Sequence, residues 1–363
     1  MLVVFTNIDI VTGPCNNINL DEEGNLETKC KSCFLGDKAL VVSDFIEQQN
    51  LTKRIQQNFP NASYFFYPAE TAAAQKLMPA MLETGQKVMT NGKVPEIAQI
   101  LAKEGFAQIS FSLYSDWQEM NKFYGYSKKE YNLLLENIGI AVENNMEVEI
   151  FSIVTPLNIE KLSDLYSLTK GLGVSKLTLL PLESLGKAKD LADENYLDQE
   201  SFERVLQEVE DLKTNEGPYI SMGFGFGPSK KAIEKFTSRD TKSWVKTKTF
   251  CPAINGEYAV ILGNDVYFCF KTLDEPFGRI GFVSESGEIV IENEYDFLPE
   301  TIVENIDGIC YDCDVLPECL GGCRSKAISD ALRENPDIKF QDIMYKGQKF
   351  CRYNSQKNMV LTC

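Results

Sequence analysis

The stretch that most narrows the choice of folds runs from Cys310 to Arg324, "CYDCDVLPECLGGCR", with cysteines at 310, 313, 319 and 323. Thiols separated by two, five and three residues on a turn-rich segment converge on one or two soft-metal centres. Cys251 and Cys269 precede the segment, with Gly263 between them, and Cys351 follows it. Seven cysteines in this order exceed what one tetrahedral zinc uses and nearly fill two four-iron clusters. Zinc remains the plainer alternative for the central four taken alone.

The 363-residue chain contains no histidine. That removes the usual zinc ligand, the commonest general base and any catalytic triad built on imidazole. Chemistry is left to cysteine, carboxylate, lysine, tyrosine or a cofactor. In a secreted chain the eleven cysteines would read as disulfides, but "MLVVFTNIDIVTGPC" lacks a basic segment followed by a signal-length apolar run. A cytoplasmic protein with reduced thiols is therefore expected. No stretch approaches the roughly 18 apolar residues of a membrane span. A net charge of -17 argues against nucleic acid or an anionic membrane as partner.

Between these features the chain alternates regularly. Apolar, β-branched runs predict strands over 2–10, 63–67, 86–90, 107–113, 147–154 and 176–182. Helical spacing predicts helices over 44–59, capped by Ser43, and over 71–84, 127–144 and 158–170, with one more after Gly92. Six strands alternating with helices imply a parallel sheet, open or curled into a partial barrel, with its site at the strands' C-terminal ends. A further helix over 198–213 belongs to a helical, Gly-rich connector spanning 191–250. Its "MGFGFGPSKK" is a flexible turn region and not a phosphate loop, because no Lys-Ser/Thr closes it. From Cys251 onward come short strands, a hairpin around Gly263 and Asn264, and the cysteines, so 251–363 reads as a small metal-stapled domain after a first domain over 1–190.

The cysteine layout resembles the SPASM domain of radical S-adenosylmethionine (SAM) enzymes, the domain that carries two auxiliary iron-sulfur clusters. The central CX2CX5CX3C matches at every position and Cys351 supplies the last thiol, while five residues instead of four separate Gly263 from Cys269. The resemblance implies a radical SAM core, a partial (β/α)6 barrel, followed by the small cysteine-rich SPASM domain. The family's Gly-Gly-Glu motif appears as Pro68, Ala69 and Glu70, so Glu70 would receive the SAM amino group. Thr90, Asn91 and Gly92 match the motif after the third strand, and Ser112 falls where the fourth strand contacts the SAM ribose or carboxylate. Taken singly, Glu70 also reads as a solvated carboxylate, Asn91-Gly92 as an ordinary turn and Ser112 as a buried strand serine. The family's catalytic CX3CX2C is stretched here to CX14CX2C, formed by Cys15, Cys30 and Cys33, with an acidic loop between the first two. Loop closure cost grows slowly with length, so a pliable insert is compatible with one cluster.

The resemblance further implies three 4Fe-4S clusters and bound SAM, with flavodoxin or ferredoxin as reductant. Cys15, Cys30 and Cys33 would hold the catalytic cluster and leave one iron for SAM. Cys310, Cys313, Cys319 and Cys351 would hold one auxiliary cluster; Cys251, Cys269 and Cys323 would hold the other, one thiolate short. Asn255, Glu257 and Cys363 are the nearby candidates for the missing ligand. An iron left open there could bind a substrate thiolate, which suits thioether crosslinking of a ribosomal peptide. Family alternatives are sulfatase-type formylglycine formation and a non-catalytic, peptide-binding scaffold. Only 14 residues precede Cys15, so a precursor peptide is expected to dock elsewhere or through a separate leader-binding protein.

Overall fold

A computed structural model of the chain describes residues 5, 7–11, 18–20, 26–31, 33, 45–67, 87–213, 217–229, 251, 253, 258–292 and 299–355. Five of the six predicted strand runs form as β4 (Ser63–Tyr67), β5 (Lys87–Thr90), β6 (Gln108–Ser112), β7 (Glu147–Val154) and β8 (Lys176–Pro181), and the first forms as β1 (Asn7–Val11). A short antiparallel pair, β2 (Ile18–Leu20) and β3 (Leu26–Thr28), lies between β1 and the first helix. The main sheet carries β1, β4, β5, β6, β7 and β8 side by side in chain order, all parallel.

Sequential order has a structural consequence. Each right-handed crossover steps the same way along the sheet, so the intervening helices stack on one face. Ile8, Phe66, Val88, Ile109, Phe111, Val148, Ile150 and Leu177 share a single apolar core with Leu51, Leu101, Leu134 and Leu165 from those helices. A doubly wound sheet would reverse its order and carry helices on both faces. The expected singly wound, barrel-type arrangement is thus the one present.

Alternate residues of the same strands face the opposite way and mix apolar side chains, among them Val11, Phe65 and Met89, with buried polar ones. Glu149 accepts from the Thr178 hydroxyl at 2.5 Å, pairs with Lys176 at 2.9 Å and also meets Lys87. Burial pulls the Lys87 ammonium down to about 8, with Lys176 adding to the effect. In the same layer the Tyr258 hydroxyl donates to Asp9, yet burial outweighs that bond and pushes the Asp9 carboxyl up to about 7.

Three elements depart from the sequence expectation. Residues placed in the flexible connector form a seventh parallel strand, β9 (Tyr219–Met222), against β8. The glycines after it allow close approach and not mobility: a Cβ on Gly223 would stand 2.3 Å from Leu180 Cδ2, and one on Gly225 would stand 2.5 Å from Pro181 Cγ. A short helix, Trp117–Tyr124, follows β6, capped by the Asp116 side chain and ended by Gly125 at φ 65°. The hairpin of β10 (Tyr258–Leu262) and β11 (Asp265–Tyr267) continues the main sheet, since β10 pairs with β1 in parallel. The edge is completed by β12 (Arg279–Val283) and β13 (Ile289–Ile291).

Candidate functional site

Of the predicted residues of the core, Thr90 and Ser112 end parallel strands and Asn91 and Gly92 follow directly. Thr90 closes β5, and its hydroxyl accepts from the Gly92 N–H at 2.9 Å. Gly92 lies at φ 69°, and a Cβ there would stand 2.6 Å from Leu134 Cδ1, so the turn requires glycine. The loop is pinned from below by Asn137, a fully buried helix residue that sequence periodicity passes over. Its amide donates to Gly92 O at 3.0 Å and Val94 O at 3.1 Å and accepts from Ala98 N–H at 3.3 Å. The Tyr126 hydroxyl donates to Asn91 O. Ser112 ends β6 half-buried, and two residues earlier the buried Ser110 hydroxyl has no hydrogen-bond partner among the described residues. Glu70 lies outside the described residues.

Cys30 and Cys33 sit over the same strand ends. A turn joins them through Cys33 N–H to Cys30 O at 3.3 Å, which brings the two positions onto one short bend. Lys31 N–H donates to Phe123 O at 2.8 Å, and Lys187 N–H donates to Cys33 O at 2.9 Å. The bend is thereby tied to the helix after β6 and to the loop after β8. Cys33 packs beside Val11 and Leu262, the last residues of β1 and β10. Cys15 lies outside the described residues.

Seven further cysteines among the described residues divide into two sets, and Cys363 lies outside those residues. Cys310, Cys313, Cys319 and Cys351 line one cavity with Leu316, Gly322 and Tyr353. Backbone closes in on the thiols: a Cβ on Gly347 would stand 2.7 Å from Cys310 Sγ, and one on Gly227 would stand 2.8 Å from Cys351 Sγ. Between Cys319 and Cys323 the chain takes three successive left-handed residues, Leu320 at φ 50°, Gly321 at φ 73° and Gly322 at φ 80°. That turn aims Cys323 away from the first set. Cys323 falls instead within charge range of Cys251 and Cys269.

Burial pushes the Cys310 thiol up to about 11 and raises Cys319, Cys351, Cys269 and Cys323 as well. Thiols so placed keep their protons until a soft metal replaces them. Four thiols on one cavity, with no histidine or carboxylate among its lining residues, fit an iron-sulfur cluster by donor chemistry. The second set offers three thiols and two charged neighbours. Among the described residues no three cysteine or carboxylate side chains close round a single ion.

Two charged features went unnoticed in the sequence because only folding brings them together. Arg324, 1% exposed, donates to Gly321 O at 2.8 Å, Lys346 O at 3.0 Å and Met344 O at 3.1 Å. It lies within charge range of thiols from both sets, Cys251, Cys310, Cys323 and Cys319. Lys271 and Glu183 form a buried ion pair near Cys323. Burial alone would lower the Lys271 ammonium; the Glu183 carboxylate and the neighbouring thiols outweigh it and raise the group above its ordinary value. A wider hollow lined by Glu47, Asn50, Arg54 and Asn264 contains none of the predicted cluster or SAM ligands. Among the described residues no helix is long and apolar enough to cross a membrane.

No protein-family model and no curated protein matches this chain. Solved structures do. SuiB of Streptococcus suis bound to its precursor peptide SuiA aligns with TM-score 0.65 at 14% identity, over 90% of this chain and 73% of that one. SuiB bound to S-adenosylmethionine aligns with TM-score 0.61 at 14% identity, over 96% of this chain and 78% of that one. The enzyme anSMEcpe with bound AdoMet and Kp18Cys peptide aligns with TM-score 0.65 at 15% identity, over 98% of this chain and 96% of that one. At these identities the likeness is one of fold: this chain has the fold of radical SAM enzymes.

Proposed function

We infer that this chain is a radical SAM enzyme of the SPASM type that modifies a peptide or protein side chain. The observation that carries the inference is the division of seven cysteines into a set of four and a set of three, in the partition that the SPASM pattern implies. A bend bearing Cys30 and Cys33 lies over the strand ends that also present the Thr90–Gly92 loop and Ser112.

In this assignment Cys15, Cys30 and Cys33 hold the catalytic cluster, while Glu70, the Thr90–Gly92 loop and Ser112 orient SAM. When bound, the cluster and SAM supply a 5'-deoxyadenosyl radical able to take hydrogen from an unactivated carbon. The protein's own task is placement and exclusion of water. Asn137 and Tyr126 hold the Thr90–Gly92 loop in one shape, so its backbone is preorganised. The Lys31 and Lys187 amides fix the cysteine bend against two strand ends, which limits where a SAM-sized ligand can lie.

Peptide modification is the substrate class supported by the fold, since the two neighbouring proteins were each captured with a peptide. Within it we propose a thioether crosslink in a ribosomal peptide, because the second cysteine set lacks one thiolate and a substrate cysteine can complete it. Formylglycine formation on a cysteine is the neighbouring outcome. The proposed setting is cytoplasmic, with ferredoxin or flavodoxin as electron donor.

Anaerobic reconstitution tests the proposal. Three clusters predict about 12 irons per chain; about 8, with SAM left intact, would instead describe a peptide-binding scaffold. Mass spectrometry of a cysteine-containing peptide after turnover should show loss of two hydrogens and a thiol that no longer alkylates. A hydrazide-reactive aldehyde would assign formylglycine chemistry.

A further inference from the structure

We propose that Glu183 is the fourth ligand of the cluster held by Cys251, Cys269 and Cys323. The inference rests on the three-thiol assignment above and supplies what that set lacks. Glu183 follows β8, at the C-terminal end of the parallel sheet, and is only 8% exposed. One of its oxygens, Oε1, is taken by the Lys271 ammonium. The other, Oε2, is sealed from solvent and has no hydrogen-bond partner among the described residues. A buried carboxylate oxygen without a donor is costly unless something else coordinates it.

The surroundings hold that oxygen in place. Ser184 N–H donates to Ser329 Oγ at 2.6 Å, which docks the Glu183 loop on the helix (Arg324–Glu334) that starts directly after Cys323. Lys189 pairs with Glu275 at 2.6 Å, which ties the same loop to the segment after Cys269. A Cβ on Gly225 would stand 2.9 Å from Glu183 Oε1, so the backbone there is shaped around the carboxylate. Glu183 is also a charged neighbour of the Cys323 thiol. Lys271, within charge range of Cys269 and Cys323, balances the negative charge that three thiolates and a carboxylate bring together.

A carboxylate oxygen is a harder donor than a thiolate, so the iron it binds differs from its three neighbours and exchanges its ligand more readily. An incoming substrate thiol would replace the carboxylate on that iron, its proton passing to the released Glu183. The site is then closed at rest and open to a cysteine.

The test uses the full chain with Cys30→Ala and Cys33→Ala, which removes the catalytic cluster, reconstituted anaerobically with ⁵⁷Fe. The expected load is about 8 irons, with one Mössbauer iron distinct from the rest and no response of the reduced signal to ¹³C-cyanide. Glu183→Ala and Glu183→Gln should each keep the iron load, shift the parameters of the distinct iron, and make the reduced cluster respond to ¹³C-cyanide. Lys271→Met, which removes only the ion pair, should keep the distinct iron. Identical spectra with and without Glu183 would overturn the proposal, as would a Lys271→Met variant that behaves like Glu183→Ala. A load of only about 4 irons would overturn the three-thiol assignment itself, and the ligation by Glu183 with it. Loss of the fold in both Glu183 variants would count against ligation.

Discussion

The two cysteine sets share a segment and are built in opposite ways. Cys310, Cys313 and Cys319 come from one short stretch, and only Cys351 is brought from elsewhere. The three-thiol set is assembled from separate parts of the chain at Cys251, Cys269 and Cys323. Cys323 is four residues from Cys319 and belongs to the other set because the left-handed run through Leu320, Gly321 and Gly322 turns it away. The four-thiol cavity has no charged lining residue, whereas the three-thiol set keeps Glu183 and Lys271 beside it. A complete, apolar thiol cage suits a structural or electron-holding cluster. An incomplete one with a carboxylate at hand suits exchange chemistry.

The comparison predicts unequal dependence on metal. Around the four-thiol set the apolar core is small, formed by Ile302, Ile306, Leu316 and Leu320, while Cys269 follows a strand of the main sheet. Cys319→Ser should therefore cost about four irons and lower the melting temperature more than Cys269→Ser does. Iron assay with thermal unfolding by circular dichroism would show it, and equal drops would erase the distinction. Arg324→Met sharpens the same point, because Arg324 spans both sets and satisfies three carbonyls. A loss of about 3–5 kcal/mol is expected in denaturant unfolding, with iron falling in both sets.

Changes outside both sets should spare them. Asn137→Ala removes three hydrogen bonds, to Gly92, Val94 and Ala98, and should cost about 1–3 kcal/mol. Calorimetry should show weaker SAM binding at unchanged auxiliary iron content; unaltered affinity would remove the loop from the SAM site. The smallest effect belongs to Asp9, whose carboxyl is raised from 3.8 to about 7 by burial. Between those values the folded chain keeps a proton that the unfolded chain has released, so stability declines as pH rises through that window. Asp9→Asn should flatten the decline, and unfolding curves at pH 5 and pH 8 would differ less than in the parent.

Much of this was legible in the sequence because it is local. Period-two apolar runs locate the parallel strands, and cysteine spacing marks out the two thiol sets of the C-terminal part. Strand β9 escaped because its four residues are followed by glycines that resemble a hinge until Leu180 and Pro181 are seen packed against them. The parallel pairing of β10 with β1 joins residues far apart in the chain, for which no local pattern exists. The roles of Asn137, Glu183 and Arg324 are hidden for the same reason. Each is an ordinary polar residue in sequence, and only its buried partners mark it.

Formation of 5'-deoxyadenosine from SAM by the anaerobic, reconstituted chain under dithionite tests the central claim most directly. The account predicts its release by the parent and none by Cys33→Ala, with auxiliary iron retained at about 8 per chain. Undiminished cleavage by that variant, or no cleavage by a parent that carries all its iron, would contradict it.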